Sequence, residues 1–306
     1  MRVLVTGASG FVGRWLAADL AAAGHEVIEP PAELDVTDAA AVDVTLSAAR
    51  PDAIAHLAAR SFTPDAAAEP ERAFAIAVAG TINVLEGARR LRHQPVVLVA
   101  GSAEVYGLPE PADLPLREDA PLRPRTPYAL SKAAQESVAL AYAARYRLAV
   151  VVARSFNQVG PGQRPEFVVP ALARRVRELR DGHAADIPVG NLDVRRDLTD
   201  VRDAARAYRQ LLETAAGKRA AAAPSVVNVC SGESVTIRSV VEALARLGGV
   251  EPRTRVEPSL VRAVDAPEVR GDHQLLTSLT GWLPRIPLTQ TLTDVWREVA
   301  AEPVKS

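Results

Sequence analysis

Short apolar runs alternate with longer helical segments through the first half of the chain. The apolar runs are typical of strands buried on both faces of a parallel sheet, and they cover residues 3–5, 27–28, 53–57, 96–100 and 148–153. The segments between them are rich in Ala and Leu with helical spacing, and they cover residues 11–23, 39–49, 72–91 and 127–146. This alternation predicts an α/β fold, a doubly wound parallel sheet with helices on both faces.

The pattern loosens after Gly160, where Pro and Gly cluster. Four further helices are predicted at 168–180, 201–213, 237–247 and 288–300, and one further strand at 226–229. The Ala-rich segment 217–224 is predicted to be a solvent-exposed loop.

Composition and charge exclude several classes of function. Of the 306 residues, 48% are hydrophobic and 24% charged, which is typical of an ordered globular protein. The 36 basic residues balance 37 acidic ones, so we expect no nucleic-acid partner. No apolar run approaches the roughly 18 residues of a membrane helix, and a strand begins at once, so we expect no membrane partner, no signal peptide and a cytoplasmic location. Cys230 is the only cysteine and the histidines lack metal-ligand spacing, so neither a disulfide nor a metal site is expected.

A glycine-rich turn follows the first predicted strand and opens the first predicted helix. Its spacing is G-x-x-G-x-x-G, and glycines there let the backbone approach a pyrophosphate at the helix N-terminus. The turn therefore predicts a dinucleotide site, although a simple tight turn is the alternative. The expected contacts are Gly7, Ser9, Gly10, Phe11, Val12 and Gly13 at the turn, Asp35 and Val36 at the adenine, and Leu57, Ala58 and Ala59 at the adenosine half.

The end of the second predicted strand bears on which nicotinamide dinucleotide binds. Glu29 lies where an acid would hold the ribose diol of NAD, but Pro31 interrupts the strand. No arginine for a 2′-phosphate occurs between positions 27 and 38, and Glu29 and Glu33 would repel that phosphate. The sequence therefore leaves both NAD(H) and NADP(H) open and favours NAD(H).

Three polar residues have the types and spacing of an acid–base site. Ser102 follows a predicted strand, and Tyr128 and Lys132 stand four residues apart on one face of a helix that Thr126 would cap. A lysine ammonium and an oxidised nicotinamide nearby would lower the pKa of the tyrosine from its usual value near 10. Ser102 could then hydrogen-bond the reacting oxygen. The alternative is a surface tyrosine and lysine on an amphipathic helix.

With these motifs the chain resembles the extended short-chain dehydrogenase/reductases that act on nucleotide sugars, the NAD-dependent epimerase/dehydratase family. It is most similar to the branch that contains GDP-mannose 4,6-dehydratase and GDP-4-keto-6-deoxymannose reductase. The strings that carry this resemblance are RSFNQVGPGQ at 154–163, FVVP at 167–170, VGNLDVRRD at 189–197, TDVRD at 199–203, NVCSG at 228–232 and TGW at 280–282.

The resemblance implies a Rossmann-type fold with a smaller C-terminal α/β domain. Residues 1–165 with roughly 194–232 would form the dinucleotide-binding domain. Residues 166–193 with roughly 233–306 would bind the nucleotide sugar. The resemblance also implies a homodimer that pairs through the two long helices at 72–91 and 127–146.

The resemblance further implies roles for individual residues. Arg196 and Arg262 would clamp a diphosphate, because a guanidinium offers a fork of donors, and Asp265 would accept from the nucleoside ribose. A solvated charge pair is the alternative for such arginines. The implied catalytic residues are Ser102, Glu104, Tyr128 and Lys132. Tyr128 and Lys132, together with Ser155, would also contact the cofactor. The substrate would be contacted by Ser102, Glu104, Asn157 and Val168.

The chain departs from the family pattern at Pro31 and at Ala77, where an Asn is usual. Three readings of function remain open: a reductase of a GDP-4-keto-6-deoxyhexose, a GDP-mannose 4,6-dehydratase or another nucleotide-sugar enzyme such as a 4-epimerase, and a catalytically silent dinucleotide sensor. The dehydratases carry a Thr-Asp-Glu or Thr-Ser-Glu triplet where this chain has Ser102, Ala103 and Glu104. Because Ala103 has no functional group and the chain is short, the reductase is favoured.

Overall fold

Six parallel strands form the central sheet of the computed structural model, which describes residues 1–60, 62–217, 225–261 and 265–303. In spatial order they are β2 (Glu26–Ile28), β1 (Arg2–Thr6), β3 (Ala53–His56), β4 (Val96–Ala100), β5 (Val150–Ser155) and β9 (Val226–Val229). Because β1 pairs with β2 on one side and with β3 on the other, the direction of winding reverses at β1. Ligands of such sheets bind in the crevice that this reversal opens at the carboxyl ends of the strands.

Alternate side chains of the strands enter two separate cores. Val3 and Val5 pack on one face and Leu4 on the other. The first face is covered by α1 (Phe11–Ala22) and α8 (Val201–Ala216), and the second by α2 (Ala39–Ala49), α5 (Gly80–Arg90) and α6 (Pro127–Tyr146). The predicted doubly wound α/β fold is confirmed.

A further core lies among elements of the second half. Val176, Leu244 and Trp296 are buried together where three helices meet. These helices are α7 (Val168–Arg180), α9 (Ile237–Gly248) and α11 (Leu288–Ala301). This separate core supports the expected two-domain division, which itself remains a prediction.

Six short strands form two further sheets, separate from the central one. They are β6 (Asn157–Val159), β7 (Ile187–Val189), β8 (Arg195–Asp200), β10 (Ser234–Thr236), β11 (Thr254–Val256) and β12 (Glu268–Val269). In this group β8 pairs with β6 and β12 in parallel and with β10 antiparallel, and β7 pairs with β11. The remaining helices are α3 (Thr63–Ala68), α4 (Pro70–Phe74) and α10 (Gln274–Thr280).

The single helix predicted at 72–91 is wrong in its regularity. The segment consists of α4, one π-helical turn at Ala75–Ala79, and α5. Most of the predicted loop at 217–224 lies outside the described residues. Among the described helices, none has the length and apolarity needed to cross a membrane.

Candidate active site

One cavity of about 1020 Å³ opens along the carboxyl ends of the central strands. Every predicted site residue that the structure describes lines this cavity. Arg262 lies outside the described residues. The structure therefore brings the glycine turn, the Ser–Tyr–Lys set and the expected substrate residues into a single cleft.

The glycine turn presents backbone donors to the cleft. Gly7 has φ +73°, a conformation that favours glycine, and a Cβ there would meet the Ala58 nitrogen at 3.1 Å. A Cβ on Gly13 would meet the Gly7 carbonyl oxygen at 2.1 Å, so α1 starts tightly against the turn. The N-terminus of α1, at Gly10, has no side-chain cap. A pyrophosphate would satisfy these first N–H groups, so the turn fits a dinucleotide.

The expected adenosine end of the cleft holds an ion pair. Asp35 accepts from Thr37 and from Arg72, whose Nη2 lies 2.8 Å away, and these hydrogen bonds lower the pKa of Asp35 to about 2. Arg72 comes from α4, far from the second strand in sequence, so the local pattern gave no signal for it. Glu33 also lines this end of the cleft.

Ser102 and Tyr128 meet at the centre of the cleft. Ser102 caps the 3-10 helix Ala103–Tyr106 by accepting from the Glu104 N–H at 3.2 Å, and its hydroxyl lies close enough to the Tyr128 phenol to lower the pKa of the phenol. Burial and the Glu104 carboxylate raise the pKa of Tyr128 well above its usual value. This differs from the expected lowering, which assumed an oxidised nicotinamide beside the ring.

Lys132 lies behind Tyr128 on α6. Its Nζ is 6.0 Å from the centroid of the Tyr128 ring, and the side chain is only 3% exposed. This burial lowers the pKa of Lys132 to about 8. The alternative of a surface tyrosine and lysine is therefore wrong.

Glu104 lines the same part of the cleft as Ser102 and Tyr128. Its carboxylate accepts from Thr63 at 3.3 Å and from Thr126 at 3.4 Å. Thr126 also caps α6, since its Oγ1 accepts from the Ala129 N–H at 3.0 Å. The carboxylate is thus anchored to the start of the helix that carries the tyrosine.

An ion pair marks the expected substrate end. Arg196 on β8 pairs with Asp265, and it donates to the carbonyl oxygens of Arg195 and Ala266 at 2.8 and 2.9 Å. Asn157 also lines this part of the cavity. Arg196 and Asp265 are 69 positions apart, yet β8 and the segment before β12 bring them together.

Sequence reasoning missed several residues that line the cleft. The Ser155 hydroxyl hydrogen-bonds the buried Tyr208 phenol, and Gln158 donates to the same phenol at 3.3 Å. Phe62 and Phe167 meet edge-to-face at 5.3 Å between ring centroids. Ser155 is an expected cofactor contact, and Gln158 and Phe167 lie within two of the strings quoted above without an assigned role. Tyr208 and Phe62 carry no motif, so only the fold reveals them. Within the described ranges, no three His, Cys, Asp or Glu side chains cluster as metal ligands.

Comparison with known proteins agrees with this geometry. Residues 3–230 match the NAD dependent epimerase/dehydratase family. The chain is 37% identical to the GDP-6-deoxy-D-mannose reductase of Pseudomonas aeruginosa over 96% of its length and 95% of that protein. It is 29% identical to the GDP-6-deoxy-D-talose 4-dehydrogenase of Aggregatibacter actinomycetemcomitans, over 92% of each chain. The solved structure of RMD from Pseudomonas aeruginosa complexed with NADPH superposes with a TM-score of 0.89 at 36% identity, covering 97% of this chain and 98% of that one.

Proposed function

Since the chain belongs to the NAD dependent epimerase/dehydratase family, we propose that it reduces the C4 ketone of a GDP-4-keto-6-deoxyhexose with NAD(P)H. The observation that carries this proposal is the buried Ser102–Tyr128–Lys132 set in a cleft that also holds Arg196. The 37% identity to a GDP-6-deoxy-D-mannose reductase along nearly the whole chain supports the substrate. The product is GDP-D-rhamnose or its C4 epimer.

The residues of the cleft suit a ketone reduction. The dinucleotide, when bound, supplies the hydride. Tyr128 holds a proton at neutral pH, because its pKa is raised, and it donates this proton to the oxygen at C4. Ser102 hydrogen-bonds the same oxygen, and the Lys132 ammonium stabilises the phenolate that remains.

At the other end of the cleft, Arg196 grips the diphosphate of the substrate. A guanidinium can donate two parallel hydrogen bonds to phosphate oxygens. Asp265, which pairs with Arg196, accepts from the nucleoside ribose. Arg262 is the second proposed diphosphate ligand.

One observation favours the dehydratase as a second candidate. Glu104 lies close enough to Tyr128 to raise the pKa of the phenol, so a carboxylate is available beside the sugar. However, Ala103 is buried and offers no functional group, whereas dehydratases carry Asp or Ser there. The 4-epimerase and the silent sensor have no such observation in their favour.

The experiment incubates the protein with GDP-mannose and, separately, with GDP-4-keto-6-deoxymannose, each with reduced and with oxidised cofactors. Products are identified by mass and NMR. We expect the keto sugar to be reduced and GDP-mannose to remain. Conversion of GDP-mannose to the keto sugar would support the dehydratase, and dinucleotide binding without any turnover would support the sensor.

Cofactor preference belongs to the same proposal. The proposed preference is for NAD(H). The Glu33 carboxylate at the adenosine end would repel a 2′-phosphate, and Arg72 at the same end is paired with Asp35. The solved structure of RMD from Pseudomonas aeruginosa, in contrast, contains NADPH. Comparing kcat/KM for NADH and NADPH decides this point, and a higher value for NADPH would overturn the preference.

Assembly and location complete the proposal. We expect a homodimer through α4, α5 and α6, whose surface carries the apolar side chains of Phe74 and Leu130, 42% and 50% exposed. A Leu130→Glu variant should then sediment as a monomer while the wild type sediments as a dimer. Cys230 is buried and free, which agrees with the reducing cytoplasm as the proposed location.

A further inference from the structure

The Lys132 ammonium is held by two neutral oxygens. Its Nζ donates to the Ala100 carbonyl oxygen at 2.8 Å and to the Gln135 Oε1 at 2.9 Å. Ala100 ends β4, and Gln135 follows Lys132 by three residues on α6, so sheet and helix each supply one acceptor. A buried cation needs such partners, because burial removes its water.

The Gln135 amide is itself fixed in orientation. Its Nε2 donates to the Thr81 Oγ1 on α5 at 2.8 Å, and both side chains are at most 1% exposed. A flipped amide would turn its NH₂ group toward the ammonium, donor against donor. The hydrogen bonds therefore run in one direction, from Lys132 through Gln135 to Thr81.

We propose that Gln135 is a positioning residue, which holds the Lys132 ammonium beside Tyr128 through an amide that Thr81 orients. The role of Lys132 in this inference rests on the proposed reductase function. A neutral acceptor at this position holds the cation without cancelling its charge, so that the charge acts on the phenol. A carboxylate at the same position would bind the ammonium more strongly but would neutralise it.

Few other charges act on Lys132. His56 on β3 faces it, and burial together with the Lys132 charge lowers the pKa of His56 to about 3, so this imidazole is neutral. Glu104 faces Tyr128 from the 3-10 helix, and Glu136 is paired with Arg154 where β5 meets α6. The other elements that pack against α6 carry charges that are paired elsewhere: Asp65 on α3 with Arg164, Arg72 on α4 with Asp35, and Glu86 on α5 with Arg89 and Arg90.

The test measures the titration of Lys132 directly. The chain has three lysines, Lys132, Lys218 and Lys305, so protein labelled with ¹³C-lysine gives few signals and a Lys132→Met variant assigns the signal of Lys132.

Gln135→Leu removes the acceptor, and the pKa of Lys132 should fall by about one to two pH units from its value near 8. Gln135→Glu adds a carboxylate, and the pKa should rise. Ser137→Ala, an exposed change on the same helix, is the control and should leave the titration unchanged.

The kinetic profile gives the second measurement. The alkaline limb of the kcat–pH profile should move to lower pH in Gln135→Leu and to higher pH in Gln135→Glu, whereas a merely structural role would lower kcat without moving the limb. If Gln135→Leu does not fold, the predicted rise of the Lys132 pKa in Gln135→Glu tests the proposal by itself. An unchanged Lys132 titration in a folded variant overturns the proposal. The titration uses no substrate, so an enzyme that failed to reduce the keto sugar would leave this result standing and would contradict only the proposed function.

Discussion

At the scale of single residues, the environment of Tyr128 determines which direction of proton transfer the cleft favours. Burial and the Glu104 carboxylate both disfavour the phenolate, and the Ser102 hydroxyl only partly offsets them. In the proposed reduction, Tyr128 therefore begins as a proton donor. The neighbouring ammonium of Lys132 becomes important after the proton has left.

Tyr128→Phe keeps the ring and removes the proton donor. We expect kcat to fall by about 10²–10⁴, the usual scale of general acid catalysis, while the affinity for the dinucleotide changes little. Steady-state kinetics and fluorescence titration with NAD(P)H measure the two quantities. Tyr146→Phe, at the exposed end of the same helix, is the matched control. A kcat near that of the wild type would remove Tyr128 from the mechanism.

Arg196→Ala tests the proposed diphosphate grip. If Arg196 binds the diphosphate equally in the ground and transition states, KM should rise while kcat stays close to that of the wild type. The loss of a charge-assisted hydrogen bond costs about 1.5–3 kcal/mol, which corresponds to a roughly 10- to 100-fold higher KM. Arg195→Ala, which removes a neighbouring exposed arginine, should leave KM nearly unchanged. Equal KM values for both variants would reduce Arg196 to a structural ion pair with Asp265.

Glu104→Gln separates the reductase from the dehydratase. A dehydratase needs this carboxylate to remove the C5 proton, so it would lose about 10² or more in rate. A reductase has no C5 proton to remove, and we expect a loss below about tenfold, or 1.4 kcal/mol. Turnover in D₂O gives the second measurement, because a reductase places no obligatory deuterium at C5. Obligatory C5 deuteration together with a collapse of activity would overturn the reductase assignment.

At the scale of elements, α6 organises the site. One helix carries Tyr128, Lys132 and Gln135, and its Glu136 forms a buried ion pair with Arg154 on β5. The side chains proposed to be catalytic are therefore fixed relative to the sheet by the helix that bears them. Sites built on such elements are held more tightly than sites on loops.

The cap of α6 provides a prediction at this scale. Thr126→Ala should lower the free energy of unfolding by about 1 kcal/mol, as loss of an N-cap does, and should also lower kcat because Thr126 holds Glu104. Thr236→Ala removes a comparable cap from α9 and should cost stability alone. Urea denaturation and initial rates compare the two variants. Identical kinetics in both would show that the Thr126–Glu104 contact has no effect on catalysis.

The elements also show which parts of the fold can be predicted from sequence. The strands of the central sheet and the glycine turn follow from local patterns, since Val, Ile and Leu fill positions buried on both faces. Strand β8 does not, because its sequence is polar and its burial depends on distant partners. Asp197, for example, accepts from the backbone of Ser231, Gly232 and Gly271. Such pairings join segments far apart in sequence, and no local pattern encodes them.

The same limit applies to the site. Tyr128 and Lys132 are found by their spacing, but Arg72 and Tyr208 enter the cleft from α4 and α8 without any motif. Ala77 marks a position at which the family pattern led us to expect a polar group. The structure shows the polar contact one helical turn after Ala77, where the Gln135 amide of α6 donates a hydrogen bond to the Thr81 hydroxyl.

At the scale of the whole molecule, buried His56 makes stability depend on pH. Burial lowers the pKa of His56 from 6.5 to about 3, so between these values the unfolded chain binds a proton that the folded chain does not. This contribution to stability is therefore complete above pH 6.5 and is lost as the pH falls toward 3. Over that range the loss amounts to up to about 4 kcal/mol.

His56→Asn should remove this part of the acid destabilisation. Its free energy of unfolding, measured by urea denaturation between pH 7 and 4.5, should fall less steeply than that of the wild type. His93→Asn changes an exposed histidine and should follow the wild-type curve. The prediction would be contradicted if the free energy of unfolding fell equally steeply with pH in the wild type, His56→Asn and His93→Asn.

The pairing of Arg196 with Asp265 has a consequence for biosynthesis. The glycine turn, the strands beside it and the Ser–Tyr–Lys set are all encoded before residue 133, and the central sheet is complete with Val229. Asp265 and β12, which complete the other end of the cleft, are translated only later. A chain emerging from the ribosome therefore carries the groups proposed for the dinucleotide before the last groups proposed for the sugar nucleotide have been made. Leu276 and Trp282, which belong to the core beneath α1 and α8, are translated later still, so both halves of the site are completed only near the end of synthesis.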